Sequence, residues 1–121
     1  NNIVKVHDFI ENPYPLLKDS DIFILSSKYE GLPNVLLESA ALKKIIISSD
    51  CPTGPKEILL NGKAGLLFKV GDYRDLSNKI DYCLKNLKKM KKKSNLLYKN
   101  LKRYDYEVNM KKYYSLIERY L

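Results

Sequence analysis

Two glutamates, Glu30 and Glu38, frame a short stretch made of Gly31, Leu32, Pro33, Asn34 and Val35 and closed by two leucines. Proline is favoured at the first position of a helix, where its missing N–H leaves nothing unpaired. Taking Pro33 as that position leaves the amides of Leu32, Asn34 and Val35 free at the positive end of a helix, and such an end attracts anions. Gly31 lets the backbone come close to whatever binds there. Glu38 then lies about one and a half turns further on, at ~3.6 residues per turn. One carboxylate in a loop and one on a helix thus bracket a phosphate-sized hole. Carboxylates accept hydrogen bonds from hydroxyls. The ligand that fits has an anionic middle and hydroxyls at both ends, as a nucleotide sugar has.

The elements that must position these residues are legible on either side. Ile22, Phe23, Ile24 and Leu25 precede the first acid, and Ile45, Ile46 and Ile47 follow the second. Neither run alternates with polar residues, which suits strands buried on both faces of a parallel sheet. Residues 3–6 read as an earlier strand and 65–68 as a last one. Helices are expected over residues 14–20, 34–42 and 55–60, the last stopped by Asn61 and Gly62. Asp72 caps a helix that runs to about Leu87, with Leu76, Ile80, Leu84 and Leu87 on one face. A final helix occupies roughly residues 106–121. Strands alternating with helices imply an α/β domain: a Rossmann-like parallel sheet with helices on both faces and ligands at the strand carboxyl ends. Residues 8–12, 26–34 and 49–56 each follow an expected strand, which makes them the ligand edge.

At these residues the sequence resembles the retaining, nucleotide-sugar-dependent glycosyltransferases of the GT-B fold, the glycosyl transferases group 1 family. Glu30 and Glu38 stand as that family's two acids with seven residues between them. Phe9-Ile-Glu-Asn-Pro13, Asp21-Ile-Phe-Ile-Leu-Ser26, Ser49-Asp-Cys-Pro-Thr-Gly-Pro-Lys-Glu-Ile58 and Gly65-Leu-Leu67 with Asp72 are similar to further family blocks in family order. Together they cover about residues 3–87. The resemblance implies the C-terminal, donor-binding domain of such an enzyme. Its first strands and the N-terminal acceptor domain of the same chain would be missing, as the start at Asn1 without Met also suggests.

The same resemblance assigns roles. Glu38 would bond the ribose hydroxyls of the donor. Glu30 would lie beside the transferred sugar as the catalytic acidic residue, where a carboxylate favours a developing cationic carbon. Asp8 and Phe9 would border the nucleobase, although relatives commonly carry glycine at the first of these. Thr53, Gly54 and Lys56 either touch phosphate or sugar, or are turn chemistry alone. Relatives also commonly carry a glycine and a proline where this chain has Lys43 and Ile45, so the end of that helix is expected to be built differently. The implied reaction moves a hexose or N-acetylhexosamine from a UDP-linked donor to a saccharide or lipid-linked saccharide, with retention. It needs no cofactor and no obligate metal, since the site loops carry no Asp-x-Asp. The fragment alone would be inactive.

Length and composition bound these readings. The 121 residues suffice for one ordinary core, and apolar content of 45% argues for a folded chain. Cys51 and Cys83, far apart and without CxxC spacing, read as free thiols of a reducing cytosol. With two cysteines and one histidine, His7, neither a zinc site nor a triad is supported. Residues 1–84 carry ten basic and eleven acidic side chains, whereas 85–112 carry eleven basic and two acidic, a net +9. The chain therefore divides into a nucleotide-sugar-binding part, residues 1–87, and a basic helical tail, 88–121, packing on it. In that tail Lys88, Lys89, Lys91, Lys92 and Lys93 form either a solvated helix face or a patch attracted to an anionic bilayer at the inner face of the membrane. Two rivals stay open. One is a nucleotide-sugar epimerase half of the same fold; the other is a basic nucleic-acid-binding module, for which no recognition motif is present.

Overall fold

The computed structural model describes residues 3–120. Its centre is a parallel sheet of three strands, β1 Ile22–Leu25, β2 Ile45–Ser49 and β3 Leu66–Phe68, in that spatial order. Ile22 pairs with Ile45 and Ile47 with Leu66, so the three carboxyl ends lie together at one edge. Around the sheet run α1 Tyr14–Asp19, α2 Asn34–Ala41, α3 Pro55–Ile58, α4 Tyr73–Lys85, α5 Leu87–Asn100 and α6 Tyr106–Glu118, with a 3-10 turn at Leu101–Tyr104.

The central strand explains why two core layers form. Successive side chains of a strand point to opposite faces. Ile46 accordingly packs with Leu36, Ala40, Ile58, Leu59 and Leu97, while Ile45 and Ile47 pack with Phe68, Cys83 and Met90. All five residues of β2 are buried, as an unalternated central strand requires. The edge strand β1 departs from that expectation, for Ile24 is 37% exposed. Helix α5 supplies Met90 to one layer and Leu97 to the other, so it belongs to both cores. By contrast α6 buries no residue and meets chiefly the preceding 3-10 turn.

Several expected elements change. The expected strand over residues 3–6 does not form: Ile3, Val4 and Val6 are exposed and pair with nothing among the described residues. Strand preference is realised only where a neighbouring backbone takes up the hydrogen bonds. The helix after Asp72 stops at Lys85, where Asn86 adopts φ −129° and separates α4 from α5. Its buried face carries Cys83 with the partly buried Leu76 and Ile80, while Leu84 and Leu87 are 56% and 44% exposed. Asp72 caps α4 as the sequence indicates, its carboxylate accepting from the amides of Arg74 and Asp75 at 3.1 and 2.9 Å. Helix α3 ends at Ile58 because Leu60, Asn61 and Gly62 all take positive φ. Lys93 closes that turn, its Nζ donating to the carbonyls of Gly62, Lys63 and Gly65.

The end of α2 is not built differently after all. Lys43 takes φ +54°, the left-handed cap that glycine usually supplies. Its amide reaches the Ala40 carbonyl at 2.9 Å and that of Lys44 reaches Ser39 at 3.0 Å, which is the Schellman pair of bonds. Lys43 Nζ lies 4.6 Å from the Tyr98 ring centroid, a cation–π contact that helps hold a non-glycine residue there. Lys44 Nζ donates to the Lys18 and Ser20 carbonyls, which ties α1 to the amino end of the sheet.

Candidate active site

The loop after β1 presents Glu30, and the loop after β2 fixes it. Ser27 Oγ donates to Glu30 Oε1 at 2.6 Å, the short spacing of a hydroxyl bonded to a carboxylate. Ser49, fully buried at the end of β2, donates its own hydroxyl to the Ser27 carbonyl at 2.6 Å. Thr53 Oγ1 donates to the backbone carbonyl of Glu30 itself. The acid is thus held at its side chain from within its loop and at its backbone from the neighbouring loop.

The two loops also touch through bare backbone. Gly54 has φ +74°, and a Cβ there would lie 2.2 Å from the Gly31 carbonyl oxygen and 2.6 Å from Pro33 Cδ. Only glycine permits that approach and that φ together. The ring of Pro33 is buried in this contact, and Pro33 precedes the helix instead of opening it. Pro33 is the N-cap, with φ −73° and ψ 97°, and its carbonyl accepts from the Leu36 amide at 3.0 Å. The first helical residue is Asn34. The amides of Asn34 and Val35 find no acceptor among the described residues, so the helix keeps an open positive end. Leu32 sits outside the helix and is half exposed.

Glu38 lies partly buried on α2, its carboxylate without a hydrogen-bond partner among the described residues and free to accept one. Lys56 Nζ stands 3.4 Å from Asp50 Oδ2, an exposed pair within the second loop. Thr53, Gly54 and Lys56 therefore all make contacts within or between the two loops. Asp8 and Phe9 are not brought to them: the segment is exposed, Phe9 by 93%, and follows no strand. Among the described residues its side-chain bond is local, Asn12 Oδ1 accepting from the Tyr14 amide.

Ser27 and Ser49 are the site residues that sequence reasoning passed over. Their signal was faint: small hydroxyl residues at the carboxyl ends of two apolar runs, beside an acid. Among the described residues no three His, Cys, Asp or Glu side chains gather as metal ligands would. Both cysteines are buried free thiols, and burial pushes the Cys83 thiol above its ordinary range.

A parallel sheet with helices on both faces and its chemically distinctive loops at the strand carboxyl ends defines an α/β domain of the Rossmann-like kind. The chain belongs to the glycosyl transferases group 1 family, which it matches over residues 1–103. It is 42% identical over 72 residues to an uncharacterized glycosyltransferase of Methanocaldococcus jannaschii, covering 60% of this chain and 15% of that protein. It is 35% identical over 104 residues to the N,N'-diacetylbacillosaminyl-diphospho-undecaprenol alpha-1,3-N-acetylgalactosaminyltransferase of Campylobacter jejuni, covering 86% of this chain and 27% of that enzyme. The chain thus spans about a quarter or less of these relatives. Its fold is similar to that of the Anabaena protein HepE in complex with UDP, with a TM-score of 0.74 at 19% identity over 88% of this chain and 29% of that one.

Proposed function

We propose that this chain is the donor-binding half of a retaining glycosyltransferase that moves a hexose or N-acetylhexosamine from a UDP-linked donor to a saccharide or lipid-linked saccharide. The observation that carries this reading is the fastened carboxylate of Glu30 beside the free amides of Asn34 and Val35, at the carboxyl ends of two parallel strands. The amides bind the diphosphate, as unpaired N–H groups at a helix end do. Glu38, one turn further along α2, accepts from the ribose hydroxyls. Glu30 accepts from the transferred sugar and stabilises positive charge at its anomeric carbon as the leaving diphosphate departs.

Gly31, Leu32 and Pro33 give the loop its close approach, while Thr53, Gly54 and Lys56 hold the opposing wall. No metal and no cofactor is required, because backbone amides meet the phosphate charge. Residues 1–87 carry the donor site and 88–121 the helical tail, with the acceptor-binding domain supplied by another part of the same protein. The Campylobacter relative, named for a lipid-linked substrate, and the HepE complex with UDP support the donor and acceptor classes. Such an enzyme works on the cytoplasmic side of a membrane that holds its acceptor.

Calorimetry on the full-length protein tests the reading. UDP-N-acetylglucosamine or UDP-glucose should bind, and Glu38→Gln should weaken binding by roughly 1.5–3 kcal/mol, the range for a hydrogen bond to a charged group. Folding should be unchanged, since glutamate and glutamine have similar helix propensity. Undiminished affinity in the variant would remove Glu38 from the site. An isomerised donor sugar among the products, with no transfer, would make the enzyme an epimerase.

A further inference from the structure

The lysines that stand together in the sequence separate in space. Lys93 turns inward onto the three carbonyls at the end of α3, and burial, followed by the neighbouring Lys89 charge, holds it below the ordinary lysine range. Lys88, Lys89, Lys91 and Lys92 remain exposed, and Lys85 from the end of α4 joins them. None of these five forms an ion pair among the described residues, where the ion pairs are Lys56 with Asp50 and Lys79 with Asp75. Between and beside the lysines stand Asn86 and two exposed leucines. Leu84 and Leu87 are 56% and 44% exposed, and Leu87 sits in a hollow with Lys85, Lys88, Lys89 and Lys92. A second hollow on its other side holds Leu84, Leu87 and Lys91 with Lys43 and Lys44, which outnumber the one acid there, Asp21.

We propose that this corner between α4 and α5, with Lys85, Lys88, Lys89, Lys91 and Lys92 around Leu84 and Leu87, is a docking surface for an anionic lipid bilayer. Two leucines held open inside a ring of unpaired ammonium groups match the two layers of such a bilayer. The charges meet lipid headgroups, and the apolar side chains enter the boundary beneath them. Tyr82, with Lys89 Nζ 5.7 Å from its ring centroid, adds an aromatic of the kind that settles at that depth.

The patch contains lysine and no arginine. Guanidinium forks recognise discrete phosphates in fixed geometry, whereas lysine is a hydrated point charge suited to a diffuse anionic plane. That difference favours a membrane over a nucleic acid. The second hollow also touches Ile22 and Ile45, the first residues of β1 and β2. The patch therefore lies by the amino ends of the strands, and the loops carrying Glu30 lie at the opposite ends. Membrane and donor need not compete.

The surface goes beyond the donor-site reading and rests on it only for placing the protein beside a membrane. Its test needs no donor. Full-length protein should bind vesicles of phosphatidylcholine mixed with phosphatidylglycerol in a sedimentation assay, and should release as salt rises and the Debye length falls below about 8 Å. Each lysine near such a surface contributes roughly fivefold in partitioning, so Lys88→Glu, Lys89→Glu and Lys92→Glu together should cost about 100-fold or more. Lys99→Glu, Lys102→Glu and Lys111→Glu, with the same charge change elsewhere on the helical tail, should cost far less. Leu87→Ser should weaken binding while leaving its salt sensitivity intact. Donor affinity measured on the same variants should not change, and its failure in the parent protein would count against the donor site alone. Equal binding to phosphatidylcholine vesicles, equal losses in the two triple variants, or tighter binding of single-stranded RNA insensitive to Leu87→Ser would each overturn the proposal.

Discussion

Replacing Gly54 by alanine tests whether the second loop governs the first. The new Cβ would stand 2.2 Å from the Gly31 carbonyl oxygen and 2.6 Å from Pro33 Cδ. Carbon and oxygen in ordinary contact sit about 3.3 Å apart or more, so the loops must part by roughly 1 Å. Forcing that separation costs about 1–3 kcal/mol, the usual range for overpacking. Holding alanine at φ +74°, ψ −76°, outside even the left-handed helical region, costs a further 1–3 kcal/mol or so. The displaced residue is the neighbour of Glu30, whose carbonyl also loses its bond from Thr53. A misplacement of about 1 Å at a reacting centre is worth on the order of 100-fold in turnover.

Gly71→Ala supplies the control, for Gly71 has φ +75° with nothing within 4 Å of its added Cβ. It should show the conformational cost of about 1–2 kcal/mol without the functional loss. Denaturant unfolding and transfer kinetics on the full-length protein read both quantities. Equal destabilisation by the two substitutions, or full turnover in Gly54→Ala, would refute the coupling of the loops.

Three further outcomes are expected. Ser27→Ala removes the hydroxyl that aims Glu30 and should lower kcat about tenfold, close to 1.4 kcal/mol, with donor KM changing less and Ser27→Thr restoring the rate; an unchanged kcat would show that Glu30 aims itself. Lys93→Ala leaves three carbonyls without their donor and should cost roughly 1–2 kcal/mol in urea unfolding, whereas the exposed Lys92→Ala should cost under about 0.5 kcal/mol. Cys83 should resist thiol reagents in the folded protein even at an alkaline pH where a free thiol ionises, because burial raises its pKa and so suppresses the reactive thiolate; rapid labelling of the native protein at that pH would contradict the burial.

What the sequence made legible was local. The unalternated run of β2 declared its burial, and Asp72 declared its cap through bonds spanning two and three residues. The two acids and the helix between them followed from spacing alone. Pro33 was misplaced by one residue because its ring is claimed by Gly54, twenty-one positions away in the chain. The bonds from Ser49 and Thr53 bridge 22 and 23 residues, and no periodicity announces such contacts. Helical spacing marked Leu84 as core, yet the smaller Cys83 fills the layer against Met90 once Asn86 ends the helix. The lysine run looked uniform because sequence cannot tell which member folds back onto a turn thirty residues earlier.

The fastening of Glu30 from the second loop has a consequence for how such domains diverge and how they can be re-engineered. A loop exchange that moves residues 26–34 into a relative while leaving 49–56 behind would transplant the acid without its clasp. The two segments are separate in the gene but form a single cassette in the folded domain. Grafting them together should preserve the position of the carboxylate. Across homologues, changes at 27, 30 and 31 should be accompanied by changes at 49, 53 and 54. Substitutions in the second segment can then shift the position of the carboxylate while the acid itself stays as it is.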